Sequence, residues 1–213
     1  MAHVLRFMTA AVLLAAAPSA PAADKLNEEQ AKYFGSAAHT ERLKAAFDES
    51  AALAFQGCKD VGDKGLSVTF VQPVTFKAGV PTGGSWKEQH AVAGCGTTKL
   101  LNFFASPGLD SNIAFTAGMI GTTLTDIGLQ RAAVQYAFLA VAQKGGVCRD
   151  YAAIDTRVDQ PPAAEGKVWY EMWTIRGCGH TYDVPMLFTP QVTPQGGNTS
   201  ITADIRGVAE RKP

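Results

Sequence analysis

The sequence is poor in charged residues and has no excess of either sign. Of its 213 residues, 18% are charged, and 19 basic side chains balance 19 acidic ones, so the formal net charge is zero. So few charges, beside 46% hydrophobic residues, are not typical of an intrinsically disordered chain. Because nucleic acids and anionic membrane surfaces attract clusters of basic residues, we expect neither as a partner.

Motifs for common enzyme chemistry are also missing. The chain has no G-x-S-x-G elbow, no S-x-x-K and no glycine-rich phosphate loop. No two of its four cysteines lie closer than 30 residues, whereas zinc sites are usually built from close pairs. We therefore expect no cofactor and no metal. The missing motifs argue against an enzyme without deciding the question.

No hydrophobic run is long enough to cross a bilayer. Met1–Ala23 contains Arg6, then an eleven-residue apolar run over Phe7–Ala17, then small residues. This order is typical of a cleavable secretory signal, and we expect cleavage after Ala22 or Ala23. The sequence therefore predicts a periplasmic or secreted protein without a membrane span.

The most informative feature that is present is an internal repeat. Trp86–Pro107 and Trp169–Pro190 are identical at seven of 22 positions, at a fixed offset of 83 residues. The match continues upstream, where Cys58 corresponds to Cys148 at an offset of 90. Because the offsets differ little, the two copies are expected to differ only by short loop insertions.

Each copy predicts a helix followed by four strands. Helical periodicity predicts helices over Glu41–Gln56 and Ile127–Lys144, with Thr40 and Asp126 as their N-caps. Segments of period two follow each helix, separated by glycine and proline. The predicted fold is α+β, with an antiparallel α-β-β-β-β unit occurring twice. The second helix is apolar nearly all round, so we expect it to be covered on more than one face, at the junction of the copies.

The repeat divides the chain into a removable leader, a short lead and two related units. The expected boundaries are 1–23 for the signal peptide, 24–39 for the N-terminal lead, 40–122 for the first repeat and 123–213 for the second. The lead has few apolar residues and is predicted to be a short helix or a loosely held segment. The hairpin Phe76–Ser85 supplies the extra residues of the first copy and is a candidate contact loop.

Four cysteines in an exported chain favour two disulfides over free thiols. Three connectivities are possible, and all three respect the exchange of the two copies. Pairing within the copies, Cys58 with Cys95 and Cys148 with Cys178, is the favoured one. It would tie the end of each helix to the G-C-G turn of its own copy.

The best candidate site lies on the Trp-x-Glu strand of each copy. Alternation places three side chains on one face of that strand: Trp86, Glu88 and His90 in the first copy, and Trp169, Glu171 and Trp173 in the second. If that face lined a groove, two carboxylates beside aromatic rings could act as an acid/base pair or as a polar handle for a ligand. Alternatively, each glutamate pairs with a basic residue such as Lys59 or Arg149 and holds its unit together.

Two functions are compatible with these patterns. The favoured one is a secreted or periplasmic, non-enzymatic binding or inhibitor-like protein whose partner is a protein or a cell-envelope component. The alternative is an envelope enzyme or a small-ligand carrier with a site between the two repeats. That alternative requires Glu88, His90, Glu171 and Trp173 to converge in one pocket.

Overall fold

A computed structural model describes residues 24–108, 112–145, 147–164, 166–193 and 196–211. The predicted signal peptide lies outside the described residues. The helices are α1 (Glu28–Phe34), α2 (Ala37–Ala54) and α3 (Ile127–Gly145). The strands are β1 (Gly62–Lys77), β2 (Val80–Gly94), β3 (Thr97–Pro107), β4 (Ile113–Ala117), β5 (Ala152–Gln160), β6 (Trp169–Gly177), β7 (His180–Thr193), β8 (Gly196–Ala203) and β9 (Ala209–Glu210).

The α+β class is confirmed, with two separate antiparallel sheets. One sheet has the order β1-β2-β3-β4, and the other has the order β5-β6-β7-β8 with β9 paired to β7. Helix α2 packs on β3 and β4, while α3 packs on β6, β7 and β8. A helix followed by four strands in chain order, twice, is consistent with the predicted repeat, although α1 and β9 were not part of the predicted unit.

Alternation along the strands positions the core as expected. On β2, every second residue from Trp86 to Val92 is buried, and on β7 the same holds from Tyr182 to Phe188. The first sheet buries Trp86 and Phe103 beneath α1 and α2, and the second buries Trp173 beneath α3. The candidate carboxylates therefore lie within two hydrophobic cores, where a polar group needs hydrogen-bond partners.

The start of α2 differs from the prediction. Its N-cap is Ser36, whose hydroxyl accepts from the backbone N–H of His39 at 3.2 Å, so the predicted cap Thr40 is wrong. Thr40 instead donates its hydroxyl to the carbonyl of Ser36 at 3.2 Å, as a residue inside the helix can. The earlier start brings His39 into the first turn of α2. The second predicted cap is confirmed, because Asp126 accepts from the backbone N–H of Leu129 at 2.8 Å.

The N-terminal lead is firmly packed. Helix α1 has a capping box formed by Asn27 and Gln30, and its last two residues, Tyr33 and Phe34, are buried against Trp86. Tyr33 also meets Phe76 edge to face, so the hairpin predicted as a contact loop supports α1. A loosely held lead is therefore not what the structure shows.

Asp24 fastens the start of the lead to the free edge of β1. Its backbone N–H donates to the carbonyl of Val68 at 2.9 Å, and its carboxylate accepts from the N–H of Phe70 at 2.7 Å. Backbone groups on an edge strand would otherwise be open to pairing with another chain. The lead thus protects part of this edge.

The favoured disulfide pairing is confirmed. Cys58 is bonded to Cys95 and Cys148 to Cys178, with Cα atoms 5.7 and 5.6 Å apart. The two-residue turns at Cys95 and Cys178 need positive φ at both central residues, which the following glycine adopts readily. The glycine before each cysteine serves a different purpose, because a Cβ there would meet the ring of Phe55 in the first unit or that of Tyr151 in the second.

Helix α3 covers the second sheet with one face only. The alanines and the valine on its inner face are buried, whereas Tyr136 and Leu139 on the outer face are 48% and 59% exposed. The expectation that α3 is covered on more than one face is therefore wrong for the described residues. Among those residues, no helix combines the length and the apolar character needed to cross a membrane.

Candidate functional site

Glu88 is the centre of a buried polar cluster on the face of the sheet that α1 and α2 cover. Its side chain is fully buried, and its Oε1 accepts a hydrogen bond from Nε1 of Trp86 at 2.6 Å. Its Oε2 lies 3.2 Å from Nε2 of His39 and 3.3 Å from Nε2 of His90. Three side chains from two elements thus satisfy one carboxylate.

His90 connects this carboxylate with the surface. Its Nδ1 lies 2.6 Å from Oδ2 of Asp63, whose side chain is 41% exposed. Burial on its own would lower the pKa of His90, but the hydrogen bonds with Glu88 and Asp63 outweigh burial, and the pKa is raised. A charged His90 between two carboxylates is the state that this geometry favours.

His39 has the opposite character. Its ring is buried and stacks between Tyr33 and Phe115, with centroids 5.1 and 5.7 Å away. Burial lowers the pKa of His39, and the nearby charges of His90 and Arg42 lower it further, against the pull of Glu88. A neutral His39 must carry its proton on Nε2 in order to donate to Glu88, which leaves Nδ1 as an acceptor. Among the described residues, this buried Nδ1 has no hydrogen-bond partner.

Both histidines line a cleft of about 420 Å³ between α2 and the β1–β2 hairpin. Its walls are mainly apolar, and its mouth carries charged side chains. The lining residues with an apolar side chain are Phe34, Leu43, Phe47 and Leu66. A cleft of this size, with a mainly apolar surface and several polar side chains in its lining, has the form of a small-molecule site.

Glu171 occupies the equivalent place in the second unit but has no titratable partner among its hydrogen-bond donors. Its Oε1 accepts from Nε1 of Trp169 at 3.0 Å and from the backbone N–H of Leu124 at 2.9 Å. Its Oε2 accepts from Nε1 of Trp173 and from the hydroxyl of Thr123, both at 2.8 Å. Four hydrogen-bond donors, none of them the side chain of a titratable residue, therefore surround this carboxylate.

A lysine joins the second cluster from the other sheet. Lys87 of β2 donates from Nζ to the carbonyl of Thr123 at 3.4 Å and lies over the ring of Phe104. Burial lowers the pKa of Lys87 to about 8, although the charge of Glu171 acts in the other direction. Because side chains alternate along β2, Lys87 and Glu88 point to opposite faces of the sheet.

The two glutamates therefore belong to separate clusters with different roles. Each accepts a hydrogen bond from the tryptophan two residues before it, which alternation had placed on the same face of the strand. In the described contacts, neither takes Lys59 or Arg149 as its partner. No described hydrogen bond or ion pair joins the cluster of Glu88 to that of Glu171. Where the second unit uses the fixed donor of Trp173, the first uses the titratable ring of His90.

Sequence reasoning missed His39 because it placed this residue in the lead. With Ser36 as the N-cap, His39, Leu43 and Phe47 follow at i, i+4 and i+8, on one face of α2. That spacing was the available signal. A cluster of Cys148, Asp150 and Cys178 has the spacing of metal ligands, but both of its sulfurs are engaged in a disulfide.

The opposite pKa shifts of the two histidines predict opposite effects of pH on stability. The contribution of neutral His39 to the free energy of unfolding is complete above the pKa that this residue has in the unfolded chain, near 6.5. It is lost as the pH falls toward the lower pKa of His39 in the folded protein. The contribution of charged His90 is complete below the pKa of this residue in the unfolded chain. It is lost as the pH rises through the higher pKa of His90 in the folded protein. Glutamine at either position keeps an N–H donor for Glu88 but does not titrate.

We expect H39Q to lose less free energy of unfolding than the wild type between pH 7 and pH 5, and H90Q to lose less between pH 6.5 and pH 8.5. Urea denaturation at closely spaced pH values measures both slopes. H180Q is the control, because His180 is an exposed histidine paired with Glu210. Slopes for H39Q and the wild type that coincide on the acid side would contradict the assignment of a neutral His39.

Comparison of the chain with models of known families, with curated proteins and with solved structures finds no match. The basis for a function is therefore the geometry of the two carboxylate clusters and of the cleft. Of the two glutamates, Glu88 is the one whose hydrogen-bond partners, His39 and His90, line the cleft.

Proposed function

We propose that this chain is an exported, non-enzymatic binding protein that holds a small ligand in the cleft between α2 and the β1–β2 hairpin. The observation that carries the proposal is the contrast between Glu88 and Glu171. Both carboxylates hold a core together, but only the partners of Glu88 are histidines that reach a cleft. A purely structural role would be served by fixed donors, as it is at Glu171.

We propose a small ligand rather than a protein or cell-envelope partner, and a site within the first unit. The two carboxylates do not share a hydrogen-bond partner, which a site between the units would favour. Instead, the polar residues that line the cleft, among them His39, His90 and Asp63, all lie on α2 or the first sheet. Trp169, Glu171 and Trp173 then have a structural role.

A binding role fits the state of the side chains better than catalysis does. Both ring nitrogens of His90 are held by carboxylates, so the ring is not placed to take a proton from a substrate. The hydroxyl of Thr40 donates within α2, and no hydrogen bond of the described residues joins it to a base that would make it a nucleophile. The mainly apolar walls are suited to holding a ligand.

Export is supported by two independent features. The first residues have the order of a secretory signal, and two disulfides are typical of an oxidising compartment. Asp24, the residue that would follow cleavage after Ala23, is already bonded to Val68 and Phe70. We propose Asp24 as the first residue of the mature chain.

We further propose that the two units arose by duplication and then diverged. Both keep the Trp-to-Glu hydrogen bond, the disulfide and the glycine-flanked cysteine turn at equivalent places. The second unit kept its carboxylate as a purely structural group. The first acquired His39 and His90 and, with them, a cleft.

Closing the cleft tests the proposed function. Leu66 lines the cleft and is partly exposed, so the larger side chain of L66W should fill the space and lower ligand affinity at least tenfold. Its free energy of unfolding should change by no more than about 0.5 kcal/mol, as is usual for surface positions. Ligand-observed NMR with a mixture of small aromatic and aliphatic compounds measures binding.

V71W is the matched control, because Val71 lies on the same strand, is exposed and does not line the cleft. V71W should bind the same compounds as the wild type. Compounds that bind L66W as well as they bind the wild type would show that the cleft is not the site.

A further inference from the structure

A carboxylate lies against the disulfide of the second unit. Oδ1 of Asp150 is 2.5 Å from Sγ of Cys148 and 3.5 Å from the backbone nitrogen of Cys178. One ligand atom from each of these three residues lies within 4.8 Å of the other two. The two cysteines are 30 residues apart in the chain, so the fold creates a proximity that close cysteine pairs would otherwise have to supply.

The disulfide does not make good use of this carboxylate. A sulfur within a disulfide carries no proton, so it cannot donate a hydrogen bond to Asp150. Among the described residues, the other donor to Asp150 is the backbone N–H of Cys178, at the outer limit of hydrogen-bond distance. One oxygen beside two sulfurs is better suited to a cation that binds thiolate and carboxylate alike. Zn²⁺ does so, at about 2.3 Å from sulfur and about 2.0–2.2 Å from oxygen.

The first unit has the same residue types in a different arrangement. Cys58–Asp60 corresponds to Cys148–Asp150 in the repeat, with one basic residue between the cysteine and the aspartate. In the first unit, however, Sγ of Cys58 contacts the backbone carbonyl oxygen of Asp60, 3.9 Å away. Among the described residues, only the group in the second unit has the spacing of metal ligands. The repeat therefore offers an internal comparison.

We propose that Cys148, Asp150 and Cys178 bind one Zn²⁺ ion when a thiol or phosphine reductant opens the disulfide between the two cysteines. The reductant is oxidised, the disulfide becomes two thiols, and zinc then displaces one proton from each thiol. Two thiolates and the carboxylate occupy three positions of a tetrahedron, and water takes the fourth. This site lies in the second unit and is independent of the cleft.

The neighbouring strands can hold the site without the disulfide. Gly177 pairs with His180 across the β6–β7 turn, and this pairing fixes the backbone of Cys178. Ala152, at the start of β5, pairs with Arg176 and keeps the preceding segment beside the turn. Rotation of the two cysteine side chains is then enough to separate the sulfurs. Cys178 is exposed and Cys148 is half-buried, so a reductant and a metal ion can reach them.

Urea denaturation of the chain that begins at Asp24, with and without a tenfold excess of zinc chloride, tests the proposal. After reduction with tris(2-carboxyethyl)phosphine, zinc should lower the equilibrium constant for unfolding at least tenfold, because it binds the folded state. Zinc should change that of the oxidised protein by no more than twofold. In reduced D150N the effect of zinc should be less than threefold. D60N is the matched control from the first unit and should respond like the wild type.

Cobalt identifies the sulfurs that bind the metal. One equivalent of Co²⁺ should give a sulfur-to-cobalt charge-transfer absorption with reduced C58A/C95A, and an absorption at least tenfold weaker with reduced C148A/C178A. If a reduced chain is unfolded without urea, circular dichroism measures the folded fraction that zinc restores, with the same order expected among the variants.

Three results would overturn the proposal. Reduced wild type that does not respond to zinc has no such site. Equal responses of D150N and D60N, or equal absorption from the two double variants, would show that any pair of thiolates in this chain binds the metal. An oxidised protein that responds as strongly as the reduced one would place the metal on other residues.

Discussion

The E171Q variant is expected to lose about 3 kcal/mol of the free energy of unfolding, because a hydrogen bond to a charged group contributes roughly 1.5–3 kcal/mol and at least two such bonds are lost. Glutamine has nearly the same shape as glutamate, so packing is conserved. It retains one carbonyl oxygen for two of the four donors that surround Glu171, but its amide N–H groups then face the other two. The indole N–H of Trp173 cannot reverse its role, since it is only a donor.

Chemical denaturation of E171Q and the wild type measures this loss. E210Q is the control, since Glu210 is an exposed glutamate paired with His180, and it should lose under about 1 kcal/mol. A loss for E171Q as small as that of E210Q would show that the carboxylate is not the centre of the second core. Ligand binding to the folded fraction of E171Q should be unchanged, because the cleft lies in the first unit.

Removing either disulfide is expected to have an effect at least as large. The C58A/C95A and C148A/C178A variants open loops whose ends are 37 and 30 residues apart. In the chain-entropy model, each should lower the free energy of unfolding by roughly 3.5–4 kcal/mol, slightly more for the longer loop. The larger freedom of the unfolded chain is the physical reason, since no other native contact has to change.

Urea denaturation of both variants, with and without a reductant, measures the effect. Each variant without reductant should lie between the oxidised and the fully reduced wild type. A reductant should destabilise each variant further, because one disulfide remains in it. Stability that is the same for oxidised and reduced wild type would contradict the expectation.

Features that depend on local periodicity could be predicted from the sequence. The buried face of β2, from Trp86 to Val92, follows from alternation of side chains along a strand. The same alternation places each tryptophan beside the glutamate two residues later, although the hydrogen bond between them was not part of the prediction. The disulfide pairing followed from the position of each cysteine relative to a helix end and a tight turn.

Features that depend on distant contacts could not be predicted in this way. His39 contacts Glu88 from another element, 49 residues away in the chain. The predicted helix began after Thr40 and left His39 outside it, whereas the observed helix is capped by Ser36 and includes His39. Thr123 and Leu124 reach Glu171 from the segment before α3. In both cases the strand sequence predicts a buried carboxylate that needs hydrogen-bond donors. Which residues donate to it depends on the tertiary packing.

The disulfides join the first cysteine to the second and the third to the fourth in chain order. If the chain is exported as proposed, this connectivity allows it to be oxidised as it emerges, because Cys95 follows Cys58 before Cys148 arrives. An oxidant acting on neighbouring cysteines then makes native bonds, and no isomerase has to correct them. The disulfide of the first unit can therefore form before the cysteines of the second unit have emerged.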